Sequence, residues 1–574
     1  MKTLRRLLVT VLCLCLVFCC SAVTAFATDP TGSITIKNPE NSDATVAGKT
    51  FNVYKIFNAT ASGTSTSYSW YKDSNDNIPF YNFFYGSQGI TGKQNGSAQQ
   101  AVEYIANTYK KNIELSQFAE LLHQYVEACN KDTDTENNIA IFASETADGD
   151  ETSVKLDNLP YGYYLVYDAT NLGADISAVR SAVMLTNVNK DAVITLKANR
   201  PQILKQVLEN DGKTWGKGTS ANIGDVVTFK ITTPVPSHTL YTHYHYSVQD
   251  SLPNGLKMEN DSIHVYVNDI AEGSKMAADK YAVTVPDAGD VDFKIDFTEY
   301  MKESNTSDQI IITYQATVTD EIEAQKANVN TAAVIYSNDP TNNDADAEKD
   351  SRGKSTDTAN VYSYQFVFTK FAQNSNTRLA GAAFQLYRVN SDNSETLISF
   401  TTQSATDTEG SAFTKYIVYD GSDTQEPINT LTVHSEGDAD ITLNHLNYGG
   451  HLGDVFIFGL AEGTYKLVET KAPDGYVLPE APFMITIADE IGTGGAITKL
   501  SISGTHEQDD AGAIINTNGI AESILTVWAE ITNKPGSALP ETGGMGTALF
   551  TLVGIIMMAG AAAFFTLRKR NSQA

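Results

Sequence analysis

Cysteine is almost absent from this chain of 574 residues: there are five, and four of them (Cys13, Cys15, Cys19 and Cys20) fall within the opening stretch. Positive charge is also scarce. Forty Lys and Arg stand against 68 Asp and Glu, a formal net charge of -28, which argues against nucleic acid and anionic membrane surfaces as partners. No Ser/His/Asp set or pair of carboxylates marks a catalytic centre, and nothing calls for a cofactor. Metal spacing is missing too. The acidic stretches KDTDTENN (131–138) and NDPTNNDADAEKDSRGKSTDTAN (338–360) lack the EF-hand pattern. His238, His243 and His245 in HTLYTHYHY read as part of one strand leading toward Asp250 rather than as zinc ligands. Long apolar runs are confined to the two ends. With 42 % hydrophobic residues, the chain can still build cores, and its length suits about three or four domains.

The amino-terminal end has the form of a secretory signal. Lys2, Arg5 and Arg6 precede the apolar run Leu7 to Cys20, and Ala25-Phe26-Ala27 supplies a small-x-small cleavage site, so the exported chain starts near Thr28. Val17 and Phe18 are too bulky for the lipobox of a lipoprotein. After processing only Cys129 remains, so the exported chain has no internal disulfide, the usual covalent staple outside the cell. Any such staple must be of another chemistry.

Between its ends the chain is dominated by short alternating runs rich in Thr, Val and Tyr, such as DVVTFKITTPV, QIIITYQATVT and FMITIAD, separated by Gly, Asn, Asp and Pro. That pattern predicts a mainly β protein of tandem immunoglobulin-like β-sandwiches. Helical spacing is confined to 97–130, where Val102, Ile105, Ala106, Phe118, Leu121, Leu122 and Val126 form an apolar stripe; Cys129 is expected in the same core. Seams at KANRP (197–201) and in the polar stretch 338–360, read as a loop or linker, divide the chain. The expected layout is a signal peptide (1–27), a β-rich domain with added helices (28–198), two further sandwiches (199–360 and 361–538) and a tail (539–574).

In the tail, Leu539-Pro540-Glu541-Thr542-Gly543 precedes the uncharged run Thr547 to Leu567, long enough to span a bilayer, and then Arg568-Lys569-Arg570. The three parts in this order resemble the cell-wall sorting signal of Gram-positive surface proteins. The resemblance implies that a sortase cuts between Thr542 and Gly543 and passes the Thr542 acyl group to an amine, anchoring the chain in peptidoglycan at the cell surface.

The third domain opens on QFVFTKFA, with Lys370, and closes on LTVWAEITNKPG, with Asn533. Between them lies YKLVETKAPDGY, which contains Glu469. Tyr465, Leu467, Glu469, Thr470, Ala472, Pro473, Gly475 and Tyr476 meet a Y-x-L-x-E-T-x-A-P-x-G-Y pattern, and the domain resembles the B-type domain of collagen adhesins (Cna-B). The resemblance implies that Lys370 and Asn533 condense into an isopeptide bond with loss of ammonia, assisted by Glu469. The chemistry suits a dry interior. Burial lowers an amine's pKa and raises a carboxyl's, so a neutral nucleophile and a neutral acid can coexist there. The middle domain carries a parallel set: Lys205 in PQILKQVLEN, Asp250 in YHYSVQDSLPNGLKM and Asn330 in NVNTAAVIYSNDP, with Asn328 as an alternative partner. It resembles the middle domain of fimbrial backbone subunits, where an Asp takes the place of the Glu. The first domain offers Lys37 in ITIKN, the stretch GKTFNVYKIFN and Asp168 in LPYGYYLVYDAT, but no Asn partner, so its cross-linking stays open.

Taken whole, the chain resembles the LPXTG-anchored major pilins of Gram-positive bacteria. That family implies a lysine at the end of the first domain, in a V-x-x-Y-P-K-N stretch, which receives the sortase-bound acyl group of the next subunit. AVITLKANRPQ points to Lys197, with Leu196 in place of the Pro, and Lys190 is the alternative. The implied partners are sortase, neighbouring pilin subunits, peptidoglycan and, as an open class, a host surface ligand. The chain is then a sortase substrate and not an enzyme. The competing reading is a wall-anchored adhesin or minor pilin that does not polymerise.

Overall fold

The computed structural model describes residues 30–571, apart from the segments 40–43, 63–64, 132–137, 173–177, 287–288, 342–351, 407–411, 422–424, 436–450, 507–511, 522–524 and 540–544 and the single positions 199, 240, 242, 325 and 538. The signal peptide and most of the LPETG motif therefore lie outside the described residues. The chain divides into two compact units. One comprises residues 1–218, 227–316 and 329–360, the other 219–226, 317–328 and 361–574. The described strands form six sheets, interleaved in pairs along three successive stretches of sequence.

The earliest stretch forms two sheets. Thr31–Lys37 lies between Ser153–Pro160, antiparallel, and Asp191–Thr195, parallel. The second sheet is built on the long strand Thr50–Ser62, flanked by Ser65–Trp70, Ala143–Thr146 and Gly162–Asp168, with Met184–Val188 beyond the last. Ile34, Ile36, Phe51, Val53, Tyr164 and Val166 pack together in a buried core. Phe57, at the far end of the long strand, joins a second core against the helices Ala98–Thr108 and Asn112–Lys131. The first of these helices starts at a capping box. Ser97 accepts from the Gln100 backbone N–H while the Gln100 side chain accepts from that of Ser97. Ile105, Phe118, Leu122 and Val126 are buried as the periodicity predicts, and Cys129 is half-buried against the same core. Ala106 and Leu121 are instead exposed, because the inward stripe of the first helix runs through Ala98, Ala101 and Ile105 and the second helix turns Leu121 outward.

The middle stretch forms two six-stranded sheets. Leu204–Leu208 and Gln309–Val318 both flank Val226–Pro234 in one; Tyr246–Ser251 pairs antiparallel with Asn328–Ser337 in the other. Two sequence expectations fail here. The histidine-rich run is not one strand: pairing begins only at Tyr246, after Pro234 and Pro236 have ended the preceding strand and Tyr241 and Tyr244 have packed edge to face at 4.7 Å. The polar stretch read as a linker contains the strand Arg352–Tyr362, inserted between Gly218–Ser220 and Asn328–Ser337. Before Val361 and Tyr362 its buried residues, Gly353, Ser355 and Ala359, are small, so no hydrophobic signal announces its start; neighbouring strands supply its hydrogen bonds.

The last stretch places Tyr364–Ala372 between Asp454–Leu460 and Thr526–Asn533 in one sheet. Ala383–Val389, Gly463–Lys471, Phe483–Ile491 and Ile497–His506 run in that order in the other. Its opening and closing strands are parallel neighbours, with Lys370 opposite Ile531 and Ala372 opposite Asn533. The helix Met545–Asn571 follows. Its segment Gly546–Arg570 has a mean hydropathy of 2.2 and is long and apolar enough to cross a membrane.

Candidate functional site

Period-two alternation sets the site in the last stretch. Phe366, Phe368 and Lys370 point to one face of their strand; Tyr465, Leu467 and Glu469 are the buried positions of theirs; Ala529, Ile531 and Asn533 share one face of the closing strand, which is buried on both sides. The three polar residues meet in a dry interior. Lys370 Nζ donates to Glu469 Oε2 at 2.9 Å, and Asn533 Nδ2 donates to Glu469 Oε1 at 2.9 Å and to the Val477 carbonyl at 3.0 Å. The rings of Phe384 and Phe483 lie 5.4 and 5.5 Å from the ammonium. Burial pulls the Lys370 pKa down to about 8, against the opposing pull of Glu469, and burial pushes the Glu469 carboxyl up. Among the described residues, Asn533 Oδ1 is buried without a hydrogen-bond partner. A buried ion pair beside an unsatisfied amide oxygen is a costly way to stabilise a fold, which favours a reactive role over a structural one. A half-turn of the amide would bring Oδ1 to Glu469, where a protonated carboxyl could donate to it and polarise Cγ toward the amine.

The middle site is assembled in the same way, from Lys205 beside Val207, Asp250 beside Val248, and Asn330 beside Ala332 on the buried faces of their strands. Lys205 Nζ donates to Asp250 and, at 2.8 Å, to the Tyr314 hydroxyl. That hydroxyl donates to Asp250 Oδ1 at 2.8 Å and accepts from Asn330 Nδ2 at 2.7 Å. Tyr314 thus stands between the amine and the amide, a member the sequence did not reveal. In its strand, QIIITYQATV, it shares a buried face with Ile310, Ile312, Ala316 and Val318, and nothing local says that its hydroxyl ends at a carboxylate. Burial lowers the Lys205 pKa and raises those of Asp250 and Tyr314. Asn330 Oδ1, like that of Asn533, has no hydrogen-bond partner among the described residues. Asn328, two residues away, has its amide committed to the carbonyls of Glu323, Lys326 and Val361.

The first domain differs. Lys37 is exposed at its strand end, and Asp168 pairs instead with Lys49 at 2.9 Å. Lys49 also donates to the Val179 carbonyl. The carboxylate further accepts from the Ser181 N–H at 2.8 Å and from the Thr170 N–H and hydroxyl. The Asp168 oxygens are occupied by donors, and the geometry is that of a satisfied ion pair.

Lys197 follows the strand Asp191–Thr195. Its residue is exposed overall, but its ammonium reaches an open cavity of about 360 Å³ lined by Ile113, Ser116, Ala182, Tyr241 and Pro340 among others. There Nζ donates to Ser116 Oγ at 2.9 Å, and partial burial lowers its pKa. Lys190 is exposed on the turn after Met184–Val188.

Residues 364–498 match the SpaA prealbumin-like fold domain, and residues 531–573 match the LPXTG cell wall anchor motif. It is an LPXTG-anchored surface protein with a SpaA-type domain. Among curated relatives, the trypsin-resistant surface T6 protein of Streptococcus pyogenes serotype M6 is 24% identical over 434 residues, 66% of this chain and 70% of that protein. Among solved structures, the T6 backbone pilin of serotype M6 Streptococcus pyogenes is 18% identical, with 86% of this chain and 84% of that one covered at a TM-score of 0.44. The major pilin SpaA of Corynebacterium diphtheriae is 16% identical, with 88% and 99% covered at 0.41.

On this surface protein the anchor match covers the end of the closing strand, the sorting motif and the terminal helix, and Asn533 lies six residues ahead of Leu539. Arg568, Lys569 and Arg570 occupy the last turn of that helix, where positive charge suits both the helix dipole and retention on the cytoplasmic side.

Proposed function

We propose that this chain is the shaft subunit of a sortase-assembled pilus, with Thr542 of one copy joined to Lys197 of the next and the last copy joined to peptidoglycan. Intramolecular Lys370–Asn533 and Lys205–Asn330 isopeptide bonds stabilise each subunit. The observation that carries the reading is the pair of buried Lys–carboxylate–Asn clusters in a chain that ends in a sorting signal. In each cluster the neutral amine attacks the amide carbon, a C–N bond forms, the bond from that carbon to Nδ2 breaks, and ammonia leaves. Glu469 or Asp250 carries the protons between the two nitrogens. Each bond forms once and regenerates nothing, so the chain is a substrate and not an enzyme.

The relative's name records trypsin resistance, and we extend that property to this chain. Strands tied through their side chains cannot peel apart to admit a protease. The decisive experiment is electrophoresis of cell-wall extracts in sodium dodecyl sulfate. A ladder of covalent multimers that is lost on Lys197→Ala supports the shaft reading. A ladder unchanged by that substitution moves the linkage to another lysine, and a single anchored species without a ladder leaves a non-polymerising adhesin.

A further inference from the structure

Lys197 differs from the three lysines buried in ion pairs. Lys49, Lys205 and Lys370 each face a carboxylate, whereas among the described residues the one side-chain hydrogen bond of the Lys197 amine is to the hydroxyl of Ser116. Ser116 is 8% exposed and sits in the first turns of the helix Asn112–Lys131. Its own proton is already spent: Oγ donates to the Asn112 carbonyl at 3.0 Å. The hydroxyl can therefore meet the amine only as an acceptor, with its lone pairs turned toward Nζ.

Resting on the assignment of Lys197 as the linking lysine, we propose that Ser116 is a positioning residue for the transfer step. It holds one N–H of Lys197 in the cavity and leaves the nitrogen lone pair free. In the step, Nζ forms a bond to the Thr542 carbonyl carbon as the bond from that carbon to the sortase breaks, and the amine gives up one proton to solvent. A neutral acceptor suits this role better than a carboxylate. An anion would favour the ammonium, which has no lone pair to offer, while a hydroxyl fixes direction at little cost to the free amine.

Two roles for Ser116 make opposite predictions. If it only tuned the amine, Ser116→Ala would remove an acceptor that favours the ammonium, enlarge the free-amine fraction and raise the rate at neutral pH. If it positions the amine, the same change lowers the rate even where the amine is fully free. The test uses the full-length chain as acceptor, a synthetic peptide ending in Leu-Pro-Glu-Thr-Gly as donor, and the pilus sortase of the producing organism. Attachment at Lys197 is followed by peptide mapping from neutral to alkaline pH. Ser116→Ala is expected to cut the alkaline plateau about ten-fold. Ser116→Thr restores it, and Ser116→Asp moves the profile to higher pH because the added charge raises the amine's pKa. An Ala variant as fast as the parent or faster overturns the proposal, as does a Thr variant no better than Ala when both melt with the parent. Attachment that persists on Lys197→Ala, mapped to a different lysine, overturns the assembly assignment itself; a loss on Lys197→Ala with no effect of Ser116→Ala overturns only the role of the serine.

Discussion

At the residue scale, the argument turns on which polar groups are paired and which are left over. In both clusters the carboxylate satisfies the lysine while the amide oxygen of Asn533 or Asn330 has no partner among the described residues; in the first domain Asp168 is fully engaged. Glu469→Gln keeps the shape and removes the acid. We expect this variant to leave Lys370 and Asn533 unjoined, so that its intact mass is heavier by one ammonia than a singly substituted chain with both bonds. Asn533→Ala removes the electrophile and spares the ion pair. Its unfolding free energy is expected to fall by roughly 2 to 4 kcal/mol, the range for losing a covalent loop closure, read by chemical denaturation. Tyr314→Phe keeps the ring and deletes the hydroxyl between Lys205 and Asn330. Incomplete linkage in the middle domain, seen as two masses one ammonia apart, is the expected result. The motif residues Lys370, Glu469 and Asn533 were legible because they sit in strand patterns with distinctive neighbours. Tyr314, Lys49 and Ser116 were not, since each acts on a partner far away in sequence and no local spacing encodes a meeting across a core.

Elements decide how dry these groups are kept. Phe384 and Phe483 come from the sheet that also carries Glu469, and their rings wall the Lys370 amine. Phe384→Ala is expected to cost about 3 to 5 kcal/mol and to slow linkage by admitting water. The helix Asn112–Lys131 supplies a pH-sensitive element. His123 is buried with its ring 3.8 Å from that of Tyr167, and burial lowers its pKa to about 4, with Arg180 lowering it further and Asp339 opposing. Glu127 stands 4.0 Å from its Nε2. The folded pKa lies below the unfolded one, so the unfolded state binds the proton first. Stability is whole above about pH 6.5 and falls as the pH drops toward about 4, by at most about 3 kcal/mol. Melting curves over that window should flatten in His123→Phe. The helices were readable from their apolar period, whereas the strand Arg352–Tyr362 was hidden because the buried side chains of its polar part, Gly353, Ser355 and Ala359, are small.

For the molecule as a whole, covalent chemistry other than disulfides sets the expected behaviour. The intact mass of the exported ectodomain, residues 28–538, should fall short of its sequence mass by two ammonia molecules. Its melting temperature should be the same with and without a thiol reductant, since Cys129 has no partner cysteine in the exported chain. A mass equal to that of the plain sequence would remove both cross-links. The acidic surface and the anchored tail belong to the same picture of a protein held outside the cell.

What the sequence alone determined was whatever depends on local order: export, the sorting signal, alternating strands, the paired helices, and the neighbourhoods of the lysines, carboxylates and asparagines. Only the tertiary structure decided that Lys49 rather than Lys37 meets Asp168, that Tyr314 bridges the middle cluster, and that Ser116 faces Lys197. Period-two alternation tells which side of a strand a residue faces. It does not tell which residue of another sheet or helix will stand opposite, because that depends on the register and stacking of elements many residues apart.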